Sequence, residues 1–196
     1  HQFSADYGQT QDSALNSYVA GVGTALDRVS HRPHMPYNFH VVNATYINAY
    51  AFPGGSIAVT RGILAELDNE AELAALLGHE LGHVNARHTA ARMSKGKLLG
   101  ALVGGATLLA GAKSKTLGDL AGTLGGAGAG LLLASYSRDD ERQADDLGME
   151  YMVRAGYTPE GMVGLMDVLR SMNKRQPSAI ETRSTSSVSR TTAGMV

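Results

Sequence analysis

The sequence predicts an α+β fold, mainly α, in which a small antiparallel sheet lies beside a central helix. Three observations lead there. Residues 11–30 place apolar side chains at helical spacing. Residues 37–60 hold short runs of β-forming residues interrupted by Pro53-Gly54-Gly55, and residues 69–93 carry a second helical periodicity. With 196 residues the chain is long enough to bury a real core. We expect a single domain over residues 1–176, followed by a Ser/Thr-rich, flexible tail over 177–196. A net charge of −1 points to no nucleic-acid partner and to no anionic membrane surface. The lack of cysteine excludes disulfides and cysteine-ligated metals, so a metal site here must use histidine and carboxylate. The chain opens His1-Gln2 rather than Met, which reads as a processed product from which a signal or anchor has been removed.

The first helix is drawn by Leu15, Tyr18, Val19, Val22, Leu26 and Val29, an i, i+3, i+4, i+7 stripe facing a core, and Arg32-Pro33 ends it. Phe39 to Val42, Ile47 to Ala51 and Ser56 to Thr60 follow as short strands, with Pro53-Gly54-Gly55 as the turn between the last two. Their pairing is expected to be a hairpin or small antiparallel sheet. Its free edge offers unpaired backbone to an extended peptide, and a substrate chain is placed along Asn48, Ala49, Tyr50, Ala51 and Phe52.

Asn69 followed by Glu72 has capping-box spacing. Leu73, Leu76, Leu77, Leu81 and Val84 supply the buried face of a helix expected to reach about Met93. Residues 98–112 and 117–136 are two Gly/Ala/Leu-rich segments parted by Lys113-Ser114-Lys115. The second approaches the length of about 20 residues that spans a bilayer, and the first is too short. Small residues at Gly100 and Gly104, and at Gly126 and Gly130, suit a tight helical hairpin over about 96–136, packed on the core or dipping into a membrane. Ser137 then caps a helix whose positive first turn holds Asp139, Asp140 and Glu141, and Gly156 stops it. Thr158-Pro159 opens a last helix to about Asn173.

The chemistry concentrates in His79-Glu80-Leu81-Gly82-His83. At about 100° per residue the two imidazoles share one helix face about 6 Å apart. That separation suits two nitrogens on one tetrahedral Zn²⁺ at about 2.0–2.1 Å each. Glu80 stands beside the first imidazole, where it can reach a water without binding the metal. This H-E-x-x-H arrangement points to a zinc peptidase.

A catalytic zinc takes three protein ligands and keeps one position open. His88 lies about 140° from His83 around a continuous helix, off the ligand face, so a supporting or structural role fits it better. Glu141 and Asp145 stand at i and i+4 on one helical face. One can bind the metal while the other accepts a hydrogen bond from the outer nitrogen of a ligating histidine. Asp139, Asp140 and Asp146 compete, and Glu141 is preferred for its acidic partner on the same face. Tyr136, His88 and Arg138 are candidate donors to the oxyanion of an attacked carbonyl.

Three segments together resemble peptidase family M48, the HtpX, CAAX prenyl protease and BepA-like zinc metallopeptidases. They are Asn48-Ala49-Tyr50-Ala51-Phe52-Pro53-Gly54-Gly55, then His79-Glu80-Leu81-Gly82-His83-Val84 with His88, then Ser137-Arg138-Asp139-Asp140-Glu141-Arg142-Gln143-Ala144-Asp145. The resemblance runs in order and spacing over roughly residues 10–175. It implies a zincin-like (gluzincin) metalloprotease domain with one Zn²⁺ per chain. His79, His83 and Glu141 would be the ligands, Glu80 the catalytic residue and Asp145 the acid that orients a ligand. It further implies an endopeptidase acting on extended or misfolded polypeptides in envelope protein quality control. Such a protein would sit in the bacterial periplasm or on a membrane, in association with membrane-protein assembly machinery. The alternative is a latent or non-proteolytic zinc-containing chaperone or scaffold for such assembly. One departure stands out. Soluble relatives usually carry a His-Pro element and an Arg after the last helix, whereas this chain has no histidine after His88 and reads Ser178-Ala179-Ile180-Glu181 there.

Overall fold

The computed structural model describes residues 8–92, 94 and 136–175. The hairpin expected at about 96–136, apart from Tyr136, and the tail expected at 177–196 lie outside the described residues. The elements in order are α1 (Ser13–Arg28), β1 (Asn38–Val42), β2 (Ala49–Ala51), β3 (Ser56–Thr60), α2 (Arg61–Leu64), α3 (Glu70–Asn85), α4 (Arg138–Arg154) and α5 (Glu160–Arg175). Among the described residues no helix is long and apolar enough to cross a membrane.

α1 starts where the Asp12 carboxylate accepts the Leu15 N–H at 2.9 Å, the bond that an N-cap supplies to an otherwise orphaned donor. Val19, Val22 and Leu26 bury the expected stripe. Tyr18 departs from it: the ring stays about half exposed and its hydroxyl donates to Glu70 at the start of α3, at 2.8 Å.

The sheet has the order β1-β3-β2. β2 and β3 form the expected antiparallel hairpin, pairing Ala49 with Val59 and Ala51 with Ile57. β1, however, runs parallel to β3, from Asn38↔Ser56 to Val42↔Thr60, so the sheet is mixed and not antiparallel as expected. Residues 43–48 explain the difference, because they cross the end of β3 instead of turning back along β1. The Thr60 hydroxyl donates to the Tyr46 carbonyl at 2.6 Å and accepts the Asn48 N–H at 3.1 Å. The Gly62 N–H donates to the Ala44 carbonyl at 2.9 Å. A Cβ at Gly62 would run into the carbonyl oxygens of Thr45 and Tyr46, so the crossing requires glycine there. The chain arrives on the far side of β3, runs back as β2 and turns at Gly54 and Gly55, both at positive φ. β3 must then follow the direction of β1.

α3 is buried over most of its circumference, from Glu72 to Gly78 and from Leu81 to Val84, as a helix at the centre of a small domain must be. The sheet and α1 lie on one side of it, α4 and α5 on the others. Leu73, Leu77 and Leu81 meet Leu26, Val41, Ile57, Val59, Tyr151, Met152 and Leu165 in one core. Asn69 caps the helix by accepting the Glu72 N–H at 3.0 Å, while the Glu72 carboxylate accepts the Asp68 N–H at 2.8 Å. The expected extension to Met93 does not occur. α3 ends at Asn85, Arg87 takes a left-handed φ of 61°, and residues 88–92 resume helix in a new direction.

α3 and α4 cross with their backbones almost touching. A Cβ on Gly148 would stand 2.8 Å from the His79 nitrogen, and one on Gly82 would stand 2.8 Å from the Ala144 oxygen. α5, reached through Gly156 at a φ of 91°, seats Gly161 against Ala71 and Gly164 against Glu72 at the start of α3. Overpacking such a contact costs about 1–3 kcal/mol. Gly148→Val should therefore lower stability by that order in a denaturant titration. It should weaken metal binding as well, because it spreads the two helices. Wild-type stability in that variant would overturn this account of the crossing.

Candidate metal centre

The α3–α4 crossing brings the acidic first turn of α4 over the two imidazoles of α3. His79 Nε2 and His83 Nε2 stand 3.0 Å apart. Glu141 reaches them from α4, with one carboxylate oxygen 3.6 Å from His79 Nε2 and the other 3.9 Å from His83 Nε2. One donor atom from each of the three lies within 4.8 Å of the others, and they are the metal-competent group found among the described residues. A tetrahedral ion with bonds of about 2.0–2.1 Å holds its ligands about 3.3 Å apart, so these separations fit.

The outer nitrogens decide what the inner ones present. His79 Nδ1 lies 2.8 Å from the Asp145 carboxylate, which can only accept, so the proton of a neutral His79 sits on Nδ1. His83 Nδ1 lies 3.0 Å from His88 Nδ1, and His88 Nε2 lies 2.9 Å from the Gln143 side-chain oxygen and 3.5 Å from Asp140. His88 therefore donates from Nε2 toward α4 and accepts from His83 at Nδ1. Asp140 accepts only, so this direction does not depend on how the Gln143 amide is turned. Both Nε2 atoms of the neutral rings are left with bare lone pairs, facing each other at 3.0 Å beside a carboxylate. Such a donor set repels itself unless a cation lies between its members. The residues present thus fit a bound metal by their chemistry as well as by their spacing.

The electrostatics agree. Burial pulls the His79 imidazole down, but the Asp145 hydrogen bond and the charges of Glu80, Asp145 and Glu141 outweigh it and hold the ring above its ordinary value. Burial, followed by the charges of His79 and His88, pushes His83 down to about 3. Glu80, on the wall of the adjoining cavity, is pushed up to about 7 by burial, with His79 opposing and Glu141 assisting. Burial also raises Glu141. The site is open on one flank: His83 is 2% exposed, Glu141 44%.

The competing acids are otherwise engaged. Asp139 pairs with Arg142, Asp140 closes the capping box with Ser137, and Asp146 faces solvent. Of the oxyanion candidates, Arg138 is exposed and His88 stands behind His83. Tyr136 stacks on the His83 ring at 3.9 Å between centroids, and its hydroxyl meets the Thr89 hydroxyl at 2.5 Å. His88 reaches His83 because the break at Arg87 swings it back, where a continued helix would have held it about 140° away. Gln143 and Thr89 were not singled out from the sequence, where no spacing marks them, and the stacking of Tyr136 on His83 was not foreseen there. Gly78 and Gly82, by contrast, show a small-residue repeat through the motif itself.

β2 runs beside this centre. Thr60 N–H donates to the Asn48 carbonyl and Phe52 N–H to the Ser56 carbonyl, so Asn48, Tyr50 and Phe52 turn their backbone polar groups toward β3. Ala49 and Ala51 turn theirs to the outer edge, which no strand pairs among the described residues, and there Asn48 Oδ1 accepts the Ala49 N–H and the Thr89 hydroxyl lies 3.4 Å from the Ala51 carbonyl. Of the five residues expected to meet a substrate, two thus offer backbone. A cavity of about 480 Å³ opens between this edge, α3 and α5, lined by Asn48, Ala49, His79, Glu80, Glu141 and an apolar wall from α5.

Residues 13–191 match the sequence profile described as peptidase family M48. The chain is 33% identical to the beta-barrel assembly-enhancing protease of Yersinia pestis over 168 residues, 83% of this chain and 34% of that protein. It is 32% identical to metalloprotease YcaL of Escherichia coli (strain K12) over 142 residues, 70% of this chain and 53% of that protein. It is 30% identical to mitochondrial metalloendopeptidase OMA1 of Schizosaccharomyces pombe over 168 residues, 86% of this chain and 48% of that protein. The chain thus spans about a third to a half of the length of these curated relatives.

Glu141→Ala should weaken metal binding by at least about 100-fold, read by metal analysis after dialysis. Full occupancy in that variant would return the third donor to Asp139, Asp140 or Asp146. Protons compete with the metal for His79 Nε2, and the raised value of that ring moves the competition upward in pH. Metal affinity should therefore fall with acidification from above pH ~6.5, as read by competition with a chromophoric chelator. A flat affinity across that range would contradict the placement of His79.

Proposed function

We propose that this chain, which belongs to peptidase family M48, is a zinc-dependent endopeptidase domain that hydrolyses extended or misfolded polypeptides. The observation that carries the reading is the meeting of His79, His83 and Glu141, the three donors that gather among the described residues, beside a cavity bordered by Glu80 and by an edge of β2 that no described strand pairs. Structural zinc sites are closed by four protein ligands, whereas catalytic ones keep a place for substrate. That difference disfavours the alternative of a non-proteolytic scaffold.

In this reading His79, His83 and Glu141 hold one zinc, as in a gluzincin. Bound there, the zinc supplies Lewis acidity toward water and toward a peptide carbonyl. Asp145 holds the His79 ring through Nδ1, and His88 does the same for His83, so both imidazoles present Nε2 without a search over tautomers. Tyr136 packs over His83 and keeps that ring in place. The peptide lies along β2, hydrogen-bonded to the free-edge groups of Ala49 and Ala51. Glu80 takes a proton from the attacking water as the carbonyl carbon becomes tetrahedral. It then delivers that proton to the leaving nitrogen as the C–N bond breaks. A carboxyl with a value near neutrality suits both transfers.

The setting is inferred from relatives. One is named for enhancing β-barrel assembly, which supports a role in envelope protein quality control near membrane-protein assembly machinery, in a bacterial periplasm or at a membrane surface.

Glu80→Gln tests the mechanism. The variant should keep its zinc and lose casein proteolysis by about 10²–10⁴-fold, the range for removing a general base. Chelation should abolish wild-type activity and added zinc should restore it. A Glu80→Gln protein that cleaves at the wild-type rate would remove Glu80 from the chemistry.

A further inference from the structure

We propose that Arg92 is a positioning residue of the metal centre: its guanidinium lies on one face of the Tyr136 ring and holds the opposite face of that ring against the His83 imidazole. This rests on His83 being a metal ligand, as read above, and not on peptidase activity.

The need arises from how His83 is held. Its Nδ1 meets His88 at 3.0 Å and its Nε2 faces His79 at 3.0 Å. Both neighbours approach through those nitrogens, at the edge of the imidazole, with their ring planes at 72° and 78° to it. Contacts at two points of an edge resist a tilt of the plane weakly. A ligand's direction must nevertheless be held to within about 10–20°.

Tyr136 supplies the missing plane. Its ring lies 3.9 Å from the His83 ring between centroids, at an interplanar angle of 21°. Arg92 Cζ stands over the same tyrosine ring, 4.4 Å from its centroid. An imidazole and a guanidinium that close to one centroid would overlap if they shared a face, so the tyrosine is sandwiched between them. The negative face of the ring attracts the guanidinium, and Arg92 is half-buried, which strengthens the attraction. The hydroxyl fixes the ring within its plane: it lies 2.5 Å from Thr89 Oγ1, and Thr89 donates to the Ala51 carbonyl at 3.4 Å.

The fold explains why these groups meet. Tyr136 immediately precedes the Ser137 cap of α4. Arg92 lies one turn beyond His88 in the helix resumed after Arg87, so the two share a face of it. The break at Arg87 thus delivers two supports to one ligand, His88 to its nitrogen and Arg92, through Tyr136, to its face.

The sign of one effect separates this role from a mere charge. A positive group near a bound cation repels it, so an Arg92 acting only by charge would lower metal affinity and its removal would raise it. A positioning Arg92 does the reverse. The experiment measures Zn²⁺ affinity by chelator competition, and the absorption bands of the Co²⁺-loaded protein, with folding checked by thermal melting. Arg92→Gln and, independently, Arg92→Met should weaken binding about twofold to thirtyfold, the range of a cation–π contact, and Arg92→Lys should restore it. Tyr136→Leu should weaken it at least about tenfold. The Co²⁺ bands should shift in the Gln, Met and Leu variants and return in Arg92→Lys, a readout that lost stability alone would not move. Unchanged or tighter binding in folded Arg92→Gln or Arg92→Met overturns the proposal, as does an Arg92→Lys protein no better than they are. If the wild-type protein binds neither ion, the metal reading fails, and the stack is read in the metal-free protein by NMR. The Tyr136 face shields the His83 ring protons, so their resonances should move downfield in Arg92→Gln and return in Arg92→Lys. Resonances that stay in place would show that Arg92 does not hold the stack.

Discussion

The distance between two helix backbones governs this structure. A metal centre shared by elements 58 residues apart in the chain, His83 and Glu141, needs the elements to pass within a side chain's reach of each other. Gly78, Gly82, Ala144 and Gly148 achieve this by leaving almost nothing between α3 and α4. Helices normally pack about 8–10 Å apart according to the side chains at the contact, and small residues give the near end of that range. Two side chains of ordinary length then suffice, one imidazole from below and one carboxylate from above. The Asp145 carboxylate meets the outer face of His79 for the same reason, since it lies one turn beyond Glu141 on the same side of α4.

That proximity concentrates charge. Three histidines and four acids (Glu80, Asp140, Glu141 and Asp145) crowd one end of the crossing, and the perturbed values of His79, His83, Glu80 and Glu141 pull in different directions. The pattern makes sense as the field of a site built around a positive charge: the acids draw a cation to His79, while burial and neighbouring rings drive protons off His83. The hydrogen bonds on the outer nitrogens turn this field into direction. Asp145 on one ring, and His88 backed by Gln143 and Asp140 on the other, point both free lone pairs inward.

The break after α3 shows how a local irregularity serves the same end. Arg87 adopts a conformation that costs a non-glycine residue of order 1 kcal/mol or more, and the turn it makes carries His88 back against His83. It also brings Thr89 to the Tyr136 hydroxyl and toward the Ala51 carbonyl, tying the ligand helix to the strand proposed to hold substrate. A helix continued to Met93 would have sent His88 to a different face. Nothing in the residues around Ala86-Arg87 announces the break, because neither glycine nor proline is there.

Residue types and their periods were enough to predict α1, α4, α5 and the start of α3, the caps at Asn69 and Ser137, the hairpin turn at Pro53-Gly54-Gly55, and the common face of His79 and His83. All of these are local patterns: a cap or a turn is decided within four residues, and two ligands one turn apart share a face wherever the helix goes. The parallel pairing of β1, the break at Arg87, the stacking of Tyr136 and the apolar wall from α5 were decided by tertiary structure alone. Each depends on what lies across space, on a loop crossing the end of β3 or a helix seated on Gly161 and Gly164, and a one-dimensional period carries no information about a neighbour supplied by another part of the chain.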